Sequence, residues 1–239
     1  MKLLKIDAIK KHIGAYDYSA ALSVAEEIKD DLSADAYTML QIADARIRLD
    51  LCKISTLTDK LSQKIDIYPI KEGNKKEIFE YALGLRIKVL KRELADFVRG
   101  ITPLVVDLLE KILAKKCNIR LENCCKKVYE KDKKTGKKNK EKWKWQWDVN
   151  RLQKMNLLET LNNAFHGNFT GKDVYSTHLK ALILSRCGDP ALNKKVDDII
   201  GVEREVRNMA AHDIISVTDQ LIKNKTNKTA QQIMGILEY

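Results

Sequence analysis

Ile199-Ile200-Gly201-Val202-Glu203-Arg204-Glu205-Val206-Arg207-Asn208-Met209-Ala210-Ala211-His212 is the stretch on which the reading of the fold turns. At roughly 100° per residue, Ile199, Val202, Val206, Met209 and Ala210 share one face of a helix. The opposite side collects Arg204, Arg207, Asn208 and His212, with the small Ala211 between them. Upstream, Asp189-Pro190 combines an N-cap with a proline at the first helical position, where its missing N–H costs nothing. The pattern predicts one long helix from Pro190 to Asp213, apolar toward a core and polar outward.

The same periodicity recurs on both sides. Tyr18, Ala21, Leu22, Ala25 and Ile28 follow Asp17 as a predicted N-cap, and Ser33 caps a second pattern through Tyr37, Leu40, Ala43, Ile47 and Leu51. A weaker one runs through Leu57, Leu61 and Ile65. Pro69 and Gly73 then punctuate the chain. A boundary there predicts an N-terminal helical domain over 1–74 and a second domain over 75–239. From Lys76 to Val98 two apolar stripes, one through Tyr81 and Leu85 and one through Leu83, Leu90 and Phe97, predict a central buried helix. Gly100 is expected to end it, and Thr102-Pro103 to cap and start the next. Further helices are expected over 149–165, 174–187, 215–223 and 228–237.

One segment breaks the rule. From Cys124 to Val149, Lys126-Lys127-Val128-Tyr129-Glu130 and Lys142-Trp143-Lys144-Trp145-Gln146-Trp147 alternate with period two about a lysine-rich tip at Thr135-Gly136. This predicts a β-hairpin inserted among helices. Its tryptophans either pack against the helical body or, with the lysines, stack bases and meet phosphates.

Composition agrees with an all-α helical bundle carrying that hairpin. The 239 residues include only 10 Gly and 3 Pro, under half of their usual share of about 12%. A sandwich or barrel needs turn residues more often than that. Hydrophobic residues at 44% suffice for a core, which excludes wholesale disorder. No run of about 18 uncharged apolar residues exists, so no membrane span is expected. The net charge of +11 is concentrated: ten lysines against Glu130, Asp132 and Glu141 between Lys126 and Lys144 supply +7 of it. Five cysteines without CxxC spacing read as free thiols in a reducing cytoplasm, not as a zinc site.

The chemistry resides in the opening stretch. Asn208 and His212 are one helical turn apart, and Arg207 reaches the same patch by its length. Cleavage of RNA at its own 2′-hydroxyl asks for those types. The attacking oxygen loses a proton, the leaving 5′-oxygen gains one, and charge grows on the phosphate. Histidine moves protons near neutrality, and arginine offers a planar fork to the phosphate. No metal and no cofactor is required. Spacing alone is weak, since ten arginines and four histidines give about half a chance match at such separations. A solvated face with Glu203 and Glu205 paired to arginines is the structural alternative. His12, His166 and His178 lack a comparable partner set and read as structural or solvated.

Arg207-Asn208-Met209-Ala210-Ala211-His212 resembles the R-N-x3-H signature of HEPN ribonucleases. The segments Tyr81–Leu90 and Leu94–Pro103 resemble the opening helices of HEPN domains in type III-A CRISPR accessory ribonucleases. The front of the chain, around Tyr16-Asp17-Tyr18, is similar to the six-helix domain that precedes HEPN there. The resemblance implies a HEPN-like C-terminal domain with the hairpin inserted at about 124–149. It also implies a homodimer whose R-x4-H helices meet, with Arg207, Asn208 and His212 catalytic and single-stranded RNA as substrate. Arg204, Lys133, Lys134, Lys137 and Lys138 are the candidate RNA-binding residues. Nothing reads as the Rossmann-like CARF domain with which such proteins usually begin, so the chain is expected to be a truncated or naturally short form. A cyclic oligoadenylate activator is expected only where a CARF domain is present in the full-length protein. Two alternatives stay open: a non-catalytic basic module that binds nucleic acid, and a HEPN toxin held by an antitoxin.

Overall fold

The computed structural model describes residues 2–63, 65, 67, 73–131, 138–145, 156–169, 171, 173–212 and 216–238, with backbone alone at 73–75, 129–131, 138–142 and 207–212. Among these residues the fold is all-α with one two-stranded antiparallel sheet, as the sequence predicts. Chain contacts divide it into two compact units, Met1–Phe97 and Val98–Leu237.

The first unit holds α1 (Lys2–Gly14), α2 (Tyr18–Glu26), α3 (Ala34–Ile47), α4 (Leu51–Thr58) and α5 (Gly73–Leu90). Caps set its helix starts. Asp17 accepts from the Ala20 N–H at 3.2 Å, Ser33 from Ala36 at 3.2 Å, and Asp50 from Lys53 at 3.0 Å. Two cores result. Ile9, Ala21, Ala25, Ile28 and Leu40 form one; Ile42, Ala45, Ile54, Leu57 and Leu61 form the other. The predicted stripe of α3 is therefore rotated: Ile42 and Ala45 are buried, whereas Ile47 is exposed. Leu49, left-handed at φ 56°, turns the chain into α4, so Leu51 opens a new helix and does not end α3. His12 lies in α1, a helix the sequence did not announce because only Ile9 is buried along it.

The second unit begins inside α6 (Leu94–Lys116), a helix whose start corrects the one expected at Thr102-Pro103. The break falls before Leu94, not at Gly100. Arg92 takes φ 59°, its N–H meeting the Val89 carbonyl at 3.1 Å and the Glu93 N–H meeting Lys88 at 2.8 Å. That is a Schellman stop with arginine where glycine is usual. Gly100 and Pro103 stay helical because Val98, Ile101, Leu104 and Val105 around them are all at most 2% exposed. Burying four such side chains at about 1.5–3 kcal/mol each outweighs the ~1 and ~3 kcal/mol that glycine and proline cost within a helix.

Next come β1 (Cys125–Lys131) and β2 (Lys138–Trp145), paired from Cys125↔Trp145 through Lys127↔Trp143 to Lys131↔Lys138. The inserted hairpin stands where the alternation placed it. Asp173 bridges Lys144 on the outer edge of β2, and the Val174 N–H reaches the Trp143 carbonyl at 3.0 Å. Then follow α7 (Leu157–Ala164), α8 (Ser176–Arg186), α9 (Pro190–His212), α10 (Asp219–Thr226) and α11 (Ala230–Leu237). The expected 215–223 helix starts later, since Thr218 caps Leu221 at 3.2 Å. Leu161, Leu179, Ile183, Ile222 and Ile233 are fully buried and form the heart of this unit's core. All five cysteines are free thiols. No helix among the described residues is long and apolar enough to cross a membrane.

Candidate functional site

The Asp189 carboxylate accepts from the Ala191 and Leu192 N–H groups, both at 3.1 Å, and launches α9 as a cap should. The helix then runs unbroken for 23 residues, about 34 Å, to His212. Arg207, Asn208 and His212 occupy its last two turns, with Asn208 and His212 four residues apart on helical backbone. Their side chains lie outside the described residues.

What fixes that end of the helix is visible one turn earlier. Val196, Ile199, Ile200, Val202 and Val206 are all at most 7% exposed, so the predicted core face is the buried one and extends further round the helix. Arg204 is exposed, and its Nε lies 3.3 Å from Glu205 Oε1. Between adjacent exposed residues that contact contributes little.

Glu203 overturns part of the structural alternative. It does not decorate a solvated face but is 2% exposed. Its Oε1 accepts from Thr102 Oγ1 and its Oε2 from Ser176 Oγ, each at 3.2 Å. One carboxylate thus ties α6 and α8 to α9, a single turn before Arg207. The expected N-cap role of Thr102 fails for the same reason, since its hydroxyl serves Glu203 within a continuous helix. The sequence carried one signal of this. Val196, Ile199, Glu203 and Val206 continue an apolar stripe with a carboxylate in the third place.

The hairpin is anchored by its tryptophans. Trp145 is 3% exposed and meets Phe169 edge-on, with centroids 5.6 Å apart. Its Nε1 donates to His178 Nδ1 at 3.3 Å, and the Tyr175 N–H donates to the same nitrogen at 3.2 Å. With two donors on Nδ1, the ring proton belongs on Nε2. Phe165, Phe169 and Tyr175 surround the imidazole at 5.0, 5.2 and 5.3 Å. Burial holds the His178 pKa below its ordinary value. His178 is therefore structural, as expected, yet it does possess a partner set: an aromatic box with no sequence spacing to reveal it. Trp143, beside it in β2, bonds the Glu110 carboxyl of α6 and lies under the Lys127 ammonium, 5.0 Å from the ring centroid. Burial and the nearby Asp107 push Glu110 up to about 7, against the pull of Lys127 and the Trp143 bond.

Of the candidate RNA contacts, Lys133, Lys134 and Lys137 lie outside the described residues, and Lys138 opens β2 with only its backbone described. Among the described residues no group of three or more His, Cys, Asp or Glu is arranged to hold a metal ion.

Two family matches accompany this geometry. Residues 67–239 match the Cas_Csm6 HEPN domain, and residues 1–47 match the CRISPR-associated protein Csm6 6H domain. No curated protein matches the chain. The first match spans more than two-thirds of the sequence and includes α9 with its Arg-Asn-x3-His turn: the chain belongs to the Cas_Csm6 HEPN family, whose role is that of a CRISPR-associated HEPN nuclease.

Proposed function

We propose that the chain is a metal-independent endoribonuclease that cuts single-stranded RNA by attack of the substrate's own 2′-hydroxyl, in type III CRISPR antiviral defence in the cytoplasm. The observation that carries this reading is the unbroken helical backbone of α9 through His212, which sets Asn208 and His212 one turn apart beside Arg207. In the reaction, His212 takes the 2′-hydroxyl proton as the O–P bond forms, and the imidazolium gives a proton to the departing 5′-oxygen as its P–O bond breaks. Arg207 meets the charge on the non-bridging oxygens, and Asn208 orients the imidazole or donates to the phosphate. The products are a 2′,3′-cyclic phosphate and a 5′-hydroxyl.

The nucleophile is already covalently part of the substrate and the phosphate charge is met by a guanidinium, so every role is filled by a side chain of the motif. Two copies supply the working site, their α9 ends meeting about a two-fold axis with Ala211 as the small residue at the contact. The HEPN part is taken as 75–239 and the N-terminal helical part as 1–74. A cyclic oligoadenylate activator belongs to this reading only where a CARF domain accompanies the chain. End analysis of products from a mixed single-stranded RNA, wild type beside His212→Ala, tests it. Cyclic phosphate ends from wild type and intact RNA with the variant are expected, in EDTA as without it. Wild-type-like cleavage by His212→Ala would sink the reading.

A further inference from the structure

We infer that the outward face of the hairpin is a track for the phosphodiester backbone of the RNA substrate, contacting phosphates and not bases. The inference rests on the ribonuclease reading for the identity of the polyanion. The strand register does the rest. Cys125 and Trp145 are directly paired and only 2% and 3% exposed, so that face of the ribbon is turned to the helical body. Side chains alternate along a strand, and the next pair, Lys126↔Lys144, therefore belongs to the other face. The same row continues as Val128↔Lys142 and Glu130↔Lys140. Three rungs thus hold four lysines and one acid, the lysines of β2 recurring every second residue, about 6.8 Å apart.

One of these rungs, Lys126↔Lys144, costs the fold something, whereas Glu130↔Lys140 pairs opposite charges. Like charges directly opposite each other destabilise an antiparallel pair, by the same few tenths to about 1 kcal/mol that opposite charges would contribute. Asp173 relieves one of the four, lying 3.8 Å from Lys144 Nζ, while Lys144 keeps 40% of its side chain exposed. A ribbon selected for stability alone would pair opposite signs on the Lys126↔Lys144 rung too. A row of lysines on an exposed ribbon is instead what a polyanion recognises.

The two tryptophans of β2 decide between phosphates and bases, Trp147 lying outside the described residues. Stacking needs a free aromatic face. Trp145 is buried against Phe169, and Trp143 has Lys127 over its ring and its indole bonded to Glu110. Neither offers one. The track is thereby indifferent to sequence, and specificity of cleavage resides elsewhere.

The test measures binding of wild-type protein to 20-nucleotide RNAs carrying 2′-O-methyl groups throughout, which 2′-hydroxyl attack cannot cut. Fluorescence anisotropy is followed from 50 to 300 mM salt on oligo-U and oligo-A. Replacing Lys126, Lys142 and Lys144 by glutamine is expected to flatten the slope of log K against log salt by about 2, near 0.7 per lost phosphate contact, equally on both sequences. Lys126→Gln alone gives about a third of that and serves if the triple variant loses its circular dichroism. An unchanged slope overturns the proposal, and so does a loss confined to one base or equal competition by polyglutamate. Failure of the ribonuclease reading is separately visible: wild type would then bind the oligomers with the lysine dependence intact yet leave unmodified RNA uncut.

Discussion

Removing the two hydroxyls that serve Glu203 should loosen the helix carrying the Arg-Asn-x3-His turn, by an amount the geometry sets. Thr102 and Ser176 each donate to the carboxylate at 3.2 Å. A hydrogen bond to a carboxylate contributes about 1.5–3 kcal/mol net, and the penalty rises with the burial of what is left unpaired. Ser176 is 6% exposed and Thr102 is half-buried, so water replaces the threonine hydroxyl more readily. Ser176→Ala should therefore cost about 2.5 kcal/mol and Thr102→Val about 1.5 kcal/mol. In a Glu203→Gln background the acceptor is a neutral amide, whose bonds contribute about 0.5–1.5 kcal/mol. The Ser176→Ala cost should shrink there by about 1 kcal/mol, and that difference is the coupling energy. Urea unfolding followed by tryptophan fluorescence is the assay, because all three tryptophans fall at 143, 145 and 147, within the second unit. With a urea slope of about 2 kcal/mol/M, Ser176→Ala moves the midpoint down by roughly 1 M. Both single variants lying within about 0.5 kcal/mol of wild type, the range of ordinary surface substitutions, would refute the reasoning.

Four further outcomes follow from particular residues. Glu110, pushed up to about 7, binds its proton more tightly folded than unfolded; its contribution is full below the ordinary 4.5 and is lost as pH rises through about 7. Glu110→Gln should remove that fall between pH 5 and 8 in fluorescence-monitored unfolding, and an unaltered profile would contradict it. His178 has the opposite sign. Its lowered pKa gives stability that is present above the ordinary 6.5 and declines as pH falls from there through the folded value. Protonation also turns Nδ1 from acceptor to donor against two donors, so His178→Asn should flatten the acid limb. At the α3–α4 turn Leu49 sits at φ 56° and 39% exposed, so Leu49→Asn should stabilise the first unit by about 0.5–1 kcal/mol, read as a raised melting temperature. Arg207→Ala should abolish RNA cleavage while leaving circular dichroism unchanged, and retained cleavage would remove Arg207 from the proposed site.

How much of this was legible in the sequence depends on whether the deciding interaction is local. Asp17, Ser33 and Asp189 act on backbone N–H groups two or three residues away, and each caps where the sequence placed it. The hairpin was legible because period two is itself a local signal. Gly100 and Pro103 misled because their local preferences, worth a few kcal/mol, were outweighed by burial that only distant partners provide. Glu203 is the sharper case. Thr102 stands 101 residues away from it and Ser176 stands 27. No spacing rule joins them, and a carboxylate on a helix is by default assigned to solvent. Yet a default reading leaves a gap in the stripe formed by Val196, Ile199 and Val206, and a gap of that kind is evidence. Where a charged residue occupies an apolar place in the periodicity of a long helix, either the helix is mis-phased or the charge has buried donors waiting for it. In α9 the neighbours on both sides are buried, which excludes the first and leaves the second. The informative residue beside the Arg-Asn-x3-His motif was thus the one that broke the pattern leading into it.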